Sequence, residues 1–178
     1  MEEQLRKIRA YPLSNDDIQA ILEPDTKILT YPDFGRMTSI EEAFDPLGRC
    51  IFLFLTESPT SGHWLTMFQR KGGDIEYFDS YGDKPEAQRE WLSDEQLEQL
   101  GQSQPYLWKL LKASGRRVFY SPVQYQKDRA DVNTCGRWAV ARLICKDMSN
   151  HEFHTLVSKS GYKPDDWVAL FTYEMLGK

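Results

Sequence analysis

The chain has 178 residues, 40% of them apolar, which suits one globular domain over 1–178 with a proper hydrophobic core. Lys and Arg number 22 against 27 Asp and Glu, a formal net charge of -5. That balance argues against broad electrostatic binding to DNA or to an anionic membrane surface. Three cysteines, Cys50, Cys135 and Cys145, form neither a CxxC pair nor an even framework, and read as thiols of a reducing compartment. The opening "MEEQLRKIRAYPLSNDD" lacks the apolar core of a signal peptide, and no apolar run approaches membrane-spanning length. The expectation is a protein that is not secreted, held inside a cell or packaged in something assembled there.

In chain order, "SNDDIQAILEP" predicts a short helix with Ser14 or Asn15 as cap, acids in the first turn and Pro24 beyond its end. Turns follow, with one more short helix at "SIEEAF". "CIFLFLT" (50–56) is a continuous apolar run of strand length, the pattern of a central buried strand. "GHWLTMFQR" reads as a second strand, "KGG" as a tight turn and "DIEYFDS" as a third strand. Residues 85–114 carry a helical pattern, and "RRVFYSPVQYQ" predicts a fourth strand. "TCGRWAVARLICKDM" predicts a helix, and "PDDWVALFTYEMLGK" a closing helix with Pro164 and two acids at its start. Strands in the middle with helices on both flanks give an α+β domain around a central mixed or antiparallel β-sheet.

The stretch "DVNTCGRWAVARL" (131–143) sets a thiol where a helix begins. With Asn133 or Thr134 as cap, Cys135 falls in the first turn, where free N–H groups and the helix dipole favour a thiolate. The apolar face then continues through Val140, Leu143 and Ile144, and Gly136 permits close approach of a substrate backbone. A nucleophile also needs a base. Of the three histidines, His63 opens the strand "GHWLTMF", and an imidazole held at a strand end by apolar neighbours suits that role. Asp79 on the next strand would fix its tautomer. A hairpin centred on Lys71 brings His63 and Asp79 nearly opposite each other. An oxyanion donor is available from the Cys135 N–H and from Gln124 or Gln126, which alternation points the same way from a strand; Gln126 is nearer the helix.

Each residue also has a plainer reading. A lone cysteine is more often a small buried apolar side chain, and an Asp before "SYG" more often a turn residue. Cys50 and Cys145 read as core residues. Trp64 either borders the cleft or anchors the core, and Trp138 either floors the cleft or packs the helix. His151 and His154 with Cys145 match no zinc spacing, so no metal is expected. Arg116 and Arg117 read as exposed charge at a strand entrance.

Taken together, "GHW", "FDSYG", a glutamine before a loop and "TCG" at a helix start resemble the adenovirus-type (adenain-like) maturation cysteine proteases. They share the order His, Asp, Gln, Cys with the proteases that process SUMO-like modifiers. The resemblance runs through roughly residues 50 to 145, and the small size looks more like the viral branch, including virophage and polinton-like proteases. It implies a papain-like cysteine protease core of the adenain and ubiquitin-like protease type. It also implies His63 as base, Asp79 as orienter, Cys135 as nucleophile and Gln126 as oxyanion donor, with no cofactor. Gln126 stands further from the cysteine than is usual in that family, so the loop "KDRADVN" absorbs extra residues. The implied activity is thiol endopeptidase cleavage of viral capsid or core precursors during virion maturation, in the virion and the cytoplasmic virus factory. Two alternatives stay open: a protease that deconjugates a ubiquitin-like modifier, and a non-catalytic peptide-binding module on the same fold. The net charge argues against a DNA cofactor, and a peptide activator stays open.

Overall fold

A computed structural model describes residues 2–176. Five strands form one sheet in chain order: β1 (Ile28–Thr30), β2 (Arg49–Ser58), β3 (Ser61–Gln69), β4 (Ile75–Phe78) and β5 (Val118–Tyr120). β2, β3 and β4 pair antiparallel, whereas β1 joins β2 and β5 joins β4 in parallel, so the sheet is mixed. The helices are α1 (Glu2–Ala10), α2 (Asn15–Leu22), α3 (Asp94–Gln99), α4 (Tyr106–Ala113), α5 (Cys135–Ile144), α6 (Asn150–Ser158) and α7 (Pro164–Leu176). The fold is α+β, with helices on both faces of the sheet.

Alternation along the strands sorts the core into two faces. Phe52 and Phe54 of β2, Leu65 and Met67 of β3, and Ile75 and Tyr77 of β4 pack against Tyr31, Phe34 and the leucines of α4. Ile51, Leu53 and Leu55, with Trp64 and Phe68, turn the other way onto α2 and onto Ala139, Val140 and Leu143 of α5. The far side of α5 buries Trp138 and Ala141 against Phe153 and Val157 of α6 and Trp167 and Val168 of α7. Residues 136–143 are therefore buried all round the helix, Arg137 and Arg142 included. Each large apolar side chain so buried contributes about 1.5–3 kcal/mol. A helix gripped on every side holds its first residue in a fixed place, and here that residue is Cys135.

The structure departs from the sequence expectations in a few places. Residues 85–114 divide into a 3-10 turn (Ala87–Trp91), α3 and α4, because Ser93 caps a new helix through its bond from the Gln96 N–H, and Pro105 opens the next. The fourth strand stops at Tyr120, and 121–134 is irregular. Ile144 is 41% exposed rather than part of the buried face of α5. The β3–β4 hairpin centres on Gly72, not Lys71, with Thr66 opposite Phe78. His63 and Asp79 are thus diagonal instead of opposite. They keep the same face, since a shift of the centre by one residue preserves the alternation.

A candidate thiolate–imidazole site

β3 outruns β4. The last β3–β4 pair is Thr66 with Phe78, so residues 61–65 have no partner on that side. His63 stands in this open stretch, and Asp79 follows directly on the end of β4. The His63 Nε2 and Asp79 Oδ1 lie 2.8 Å apart, with both side chains buried. Asp79 also accepts the Tyr81 N–H at 2.8 Å on Oδ1, and the Gln88 amide at 2.5 Å on Oδ2. Gln88 in turn accepts the Tyr77 hydroxyl at 3.2 Å. The carboxylate is held from both oxygens, which fixes the plane of the imidazole it orients. Tyr81 stacks on the His63 ring at 4.8 Å and 11°, and Trp91 meets it edge-on at 5.3 Å.

With Nε2 committed to Asp79, the hydrogen bond between His63 and the Cys135 thiol falls to Nδ1. Cys135 is the first residue of α5 and is half-buried. The Trp64 and Gly136 backbone N–H groups donate to its sulfur. Burial works against the thiolate, but the hydrogen bond and charge of His63, with the two backbone donors, outweigh it and bring the thiol below its ordinary value. Burial likewise works against the imidazolium, and the bonds and charges of Asp79 and Cys135 overcome it, so the His63 pKa is raised. Both shifts favour a thiolate–imidazolium pair. Cys50 and Cys145 go the other way, pushed up mainly by burial.

The start of α5 is secured differently from the expected cap. Thr134 is the N-cap residue, but its side chain makes no capping bond and instead donates to Asp165 Oδ1 at 2.7 Å. The same oxygen accepts the Trp138 indole N–H at 3.1 Å, and Oδ2 accepts the Lys127 N–H at 3.0 Å. Asn133 donates from its backbone to Arg9 O at 2.8 Å and from its side chain to Ala10 O at 2.9 Å. Arg9 pairs with Asp166 at 2.6 Å. Asp165 thus ties α7, the preceding loop and α5 together. Its place in "PDDW" reads as an ordinary first-turn acid, so the sequence carries no signal for this role, nor one for Gln88.

Gly136 requires a correction. It is buried, and a Cβ there would meet the Trp64 ring at 3.0 Å and the Leu13 side chain at 3.1 Å. The missing side chain lets α5 dock on β3; it does not open a path for substrate. Trp64 is both core and cleft: 6% exposed, its indole N–H bonded to Leu13 O at 3.1 Å, and lining the groove that holds Cys135. Trp138 is fully buried and packs the helix.

The two glutamines separate. Gln126 is buried, with Oε1 accepting the Ser80 hydroxyl at 2.7 Å and one amide N–H directed to Val132 O at 3.3 Å. It bridges the turn after Asp79 to the loop before Cys135. Gln124 is exposed, its amide donating to Gln126 O at 3.1 Å. They do not point the same way because 121–134 is not a strand. Gly82, at φ +80, closes the turn after Asp79 against the backbone of Pro122 and Val123, closer than any Cβ would allow.

Two hollows flank the pair. A groove of about 520 Å³ contains Cys135 and Trp64 and is walled by Leu13, Leu29, Leu53 and the turn at Thr60. A second hollow of about 470 Å³ is lined by Tyr81, Asp83, Trp91, Gln124 and Asp128. Elsewhere, His151 and His154 are exposed on α6. No group of three or more His, Cys, Asp or Glu that could hold a metal occurs among the described residues. Arg117 pairs with Asp74 at 2.9 Å and Arg116 with Glu41, so both arginines serve surface ion pairs. Among the described residues no helix is long and apolar enough to cross a membrane.

No family model matches the chain. Among solved structures it is similar to the central domain of an uncharacterized protein of Legionella pneumophila, with 16% identity and a TM-score of 0.45, covering 94% of this chain and 99% of that one. It is 34% identical over 173 residues to "Uncharacterized protein V9" of Sputnik virophage, spanning 95% of this chain and 98% of the relative. The chain therefore belongs to the same protein family as virophage protein V9.

Proposed function

We propose that the protein is a cysteine endopeptidase of the adenain type. The observation that carries this reading is the His63–Asp79 bond of 2.8 Å together with the hydrogen bond from His63 to a thiol at the first residue of a buried helix. The Cys135 thiolate attacks the scissile carbonyl carbon and forms a tetrahedral oxyanion. The Cys135 N–H and the second N–H of Gln126 stabilise that oxyanion. His63 passes its Nδ1 proton to the leaving nitrogen as the C–N bond breaks, which leaves a thioester on Cys135. Water then loses a proton to His63 and attacks the thioester; the carboxylic product departs and the ion pair is restored. Asp79 keeps the imidazole in the productive orientation throughout.

The substrates we assign are capsid or core precursors cut during virion maturation, inside the virion or the host cell. A relative in a virophage supports a viral setting. The test is alkylation of each cysteine by iodoacetamide across the pH range, in the wild type and in His63→Ala, followed by incubation with virophage structural precursors and with modifier fusions. Fast, His63-dependent alkylation of Cys135 and internal cleavage of precursors support the reading. Cleavage confined to modifier fusions after Gly-Gly would move the assignment to deconjugation. A Cys135 that reacts no faster than Cys145 even with precursor present would leave a peptide-binding module.

A further inference from the structure

The two hollows beside the pair differ in chemistry, and the difference bears on substrate choice. The inference rests on the endopeptidase reading. His63 must deliver a proton to the leaving nitrogen, so the leaving half of a substrate passes on the imidazole side of the sulfur and the acyl half on the Cys135 side. The acyl side meets the groove with Leu13, Leu29, Leu53 and Trp64, which is largely apolar. The imidazole side meets the hollow of about 470 Å³ behind Tyr81 and Trp91, the two rings in contact with His63. Tyr81 and Trp91 stand edge to face, 6.0 Å apart, and offer aromatic surface to whatever enters. Asp83 and Asp128 line the same hollow, no basic residue does, and neither carboxylate has a hydrogen bond or ion pair among the described residues. Burial and then the charge of Asp79 raise the Asp83 pKa, and the charge of His63 offsets them only in part.

We propose that the hollow walled by Tyr81 and Trp91 is a leaving-side subsite for a lysine or arginine side chain of the substrate. An alkyl stem lies along the indole and phenol, and the charged end meets Asp83 and Asp128. Rings and carboxylates together are the surroundings a cationic side chain binds in preference to a neutral one of the same length. The two carboxylates are partly solvated, so the expected discrimination is modest, about three- to ten-fold.

The experiment uses a degenerate synthetic peptide library and sequences the cleavage products by mass spectrometry. Wild-type protein should enrich Lys and Arg by about three- to ten-fold at the first leaving-side positions. Asp83→Asn/Asp128→Asn should lose the enrichment, as should wild type at high salt. Cleavage with no cationic preference, or a preference that survives the double substitution, would overturn the subsite and leave the endopeptidase reading standing. Binding of lysine- and norleucine-containing versions of the library to Cys135→Ala separates the two ideas. With no cleavage by wild type, a cation preference in binding that depends on Asp83 and Asp128 keeps the subsite and removes the protease; no preference removes both.

Discussion

Cys135 and Cys145 sit at the two ends of one helix, and their chemistry diverges. At the start of α5 the thiol faces backbone N–H donors and the His63 ring, and its pKa is lowered despite burial. At the C-cap, Cys145 lies among carbonyl groups; burial raises its pKa, with only a partial offset from the Arg142 charge. The residue type and the helix are the same, so neither sets the direction of the shift. The end of the helix and the partner across the gap decide it.

The largest expected effect breaks that contrast outright. His63→Ala should bring low-pH alkylation of Cys135 down to the level of Cys145, about 10²-fold at pH ~6, as the thiolate fraction of an ordinary thiol predicts. Peptide cleavage should fall by about 10³-fold or more. Asp79→Asn, which replaces the acceptor of the His63 Nε2 proton by an amide, should cost about 10²–10⁴-fold in kcat with the fold retained by circular dichroism.

The pH dependence sharpens the contrast. Cleavage should rise as pH climbs through the lowered Cys135 pKa and fall once it passes the raised His63 pKa, where no proton remains for the leaving nitrogen. Alkylation, which needs only the thiolate, should rise at the same low pH and show no descending limb. The His63 shift also links to stability. Its stabilising contribution is complete below the unfolded value near ~6.5 and is lost as pH rises through the raised folded value.

Smaller effects concern the docking of the helix. Gly136→Ala overpacks against Trp64 and Leu13 and should destabilise by about 1–3 kcal/mol, read by denaturant unfolding. Cys145→Ser should shift stability by no more than about 1 kcal/mol and leave Cys135 alkylation unchanged. A fall in Cys135 labelling in that variant would mean the two ends of α5 are coupled.

Much of the site was legible because its residues carry their own local signals. A strand-length apolar run, "GHW" at the head of the next strand, and a cysteine at a helix start all announce themselves through periodicity and spacing. What stayed hidden depends on distant partners. α1 is a polar segment whose only buried residue is Ile8, and it docks on α7 through Arg9 and Asp166, so its periodicity was uninformative. β1 has three residues and exists by pairing with β2. The small side chain of Gly136 answers to Trp64 and Leu13, a tertiary cause invisible along the chain. Parity survived a misplaced turn centre, which is why His63 and Asp79 met even though the register slipped.

The anchoring of α5 has a consequence in time. Asn133 is held by Arg9 and Ala10 from one end of the described chain, while Thr134 and Trp138 are held by Asp165 from near the other. These closures span up to 157 residues in the case of Arg9 and Asp166. On a ribosome, the hairpin that carries His63 and Asp79 can form long before α7 has emerged, yet Cys135 has no finished frame until then. The contacts that fix the first residue of α5 are therefore complete only once α7 has docked.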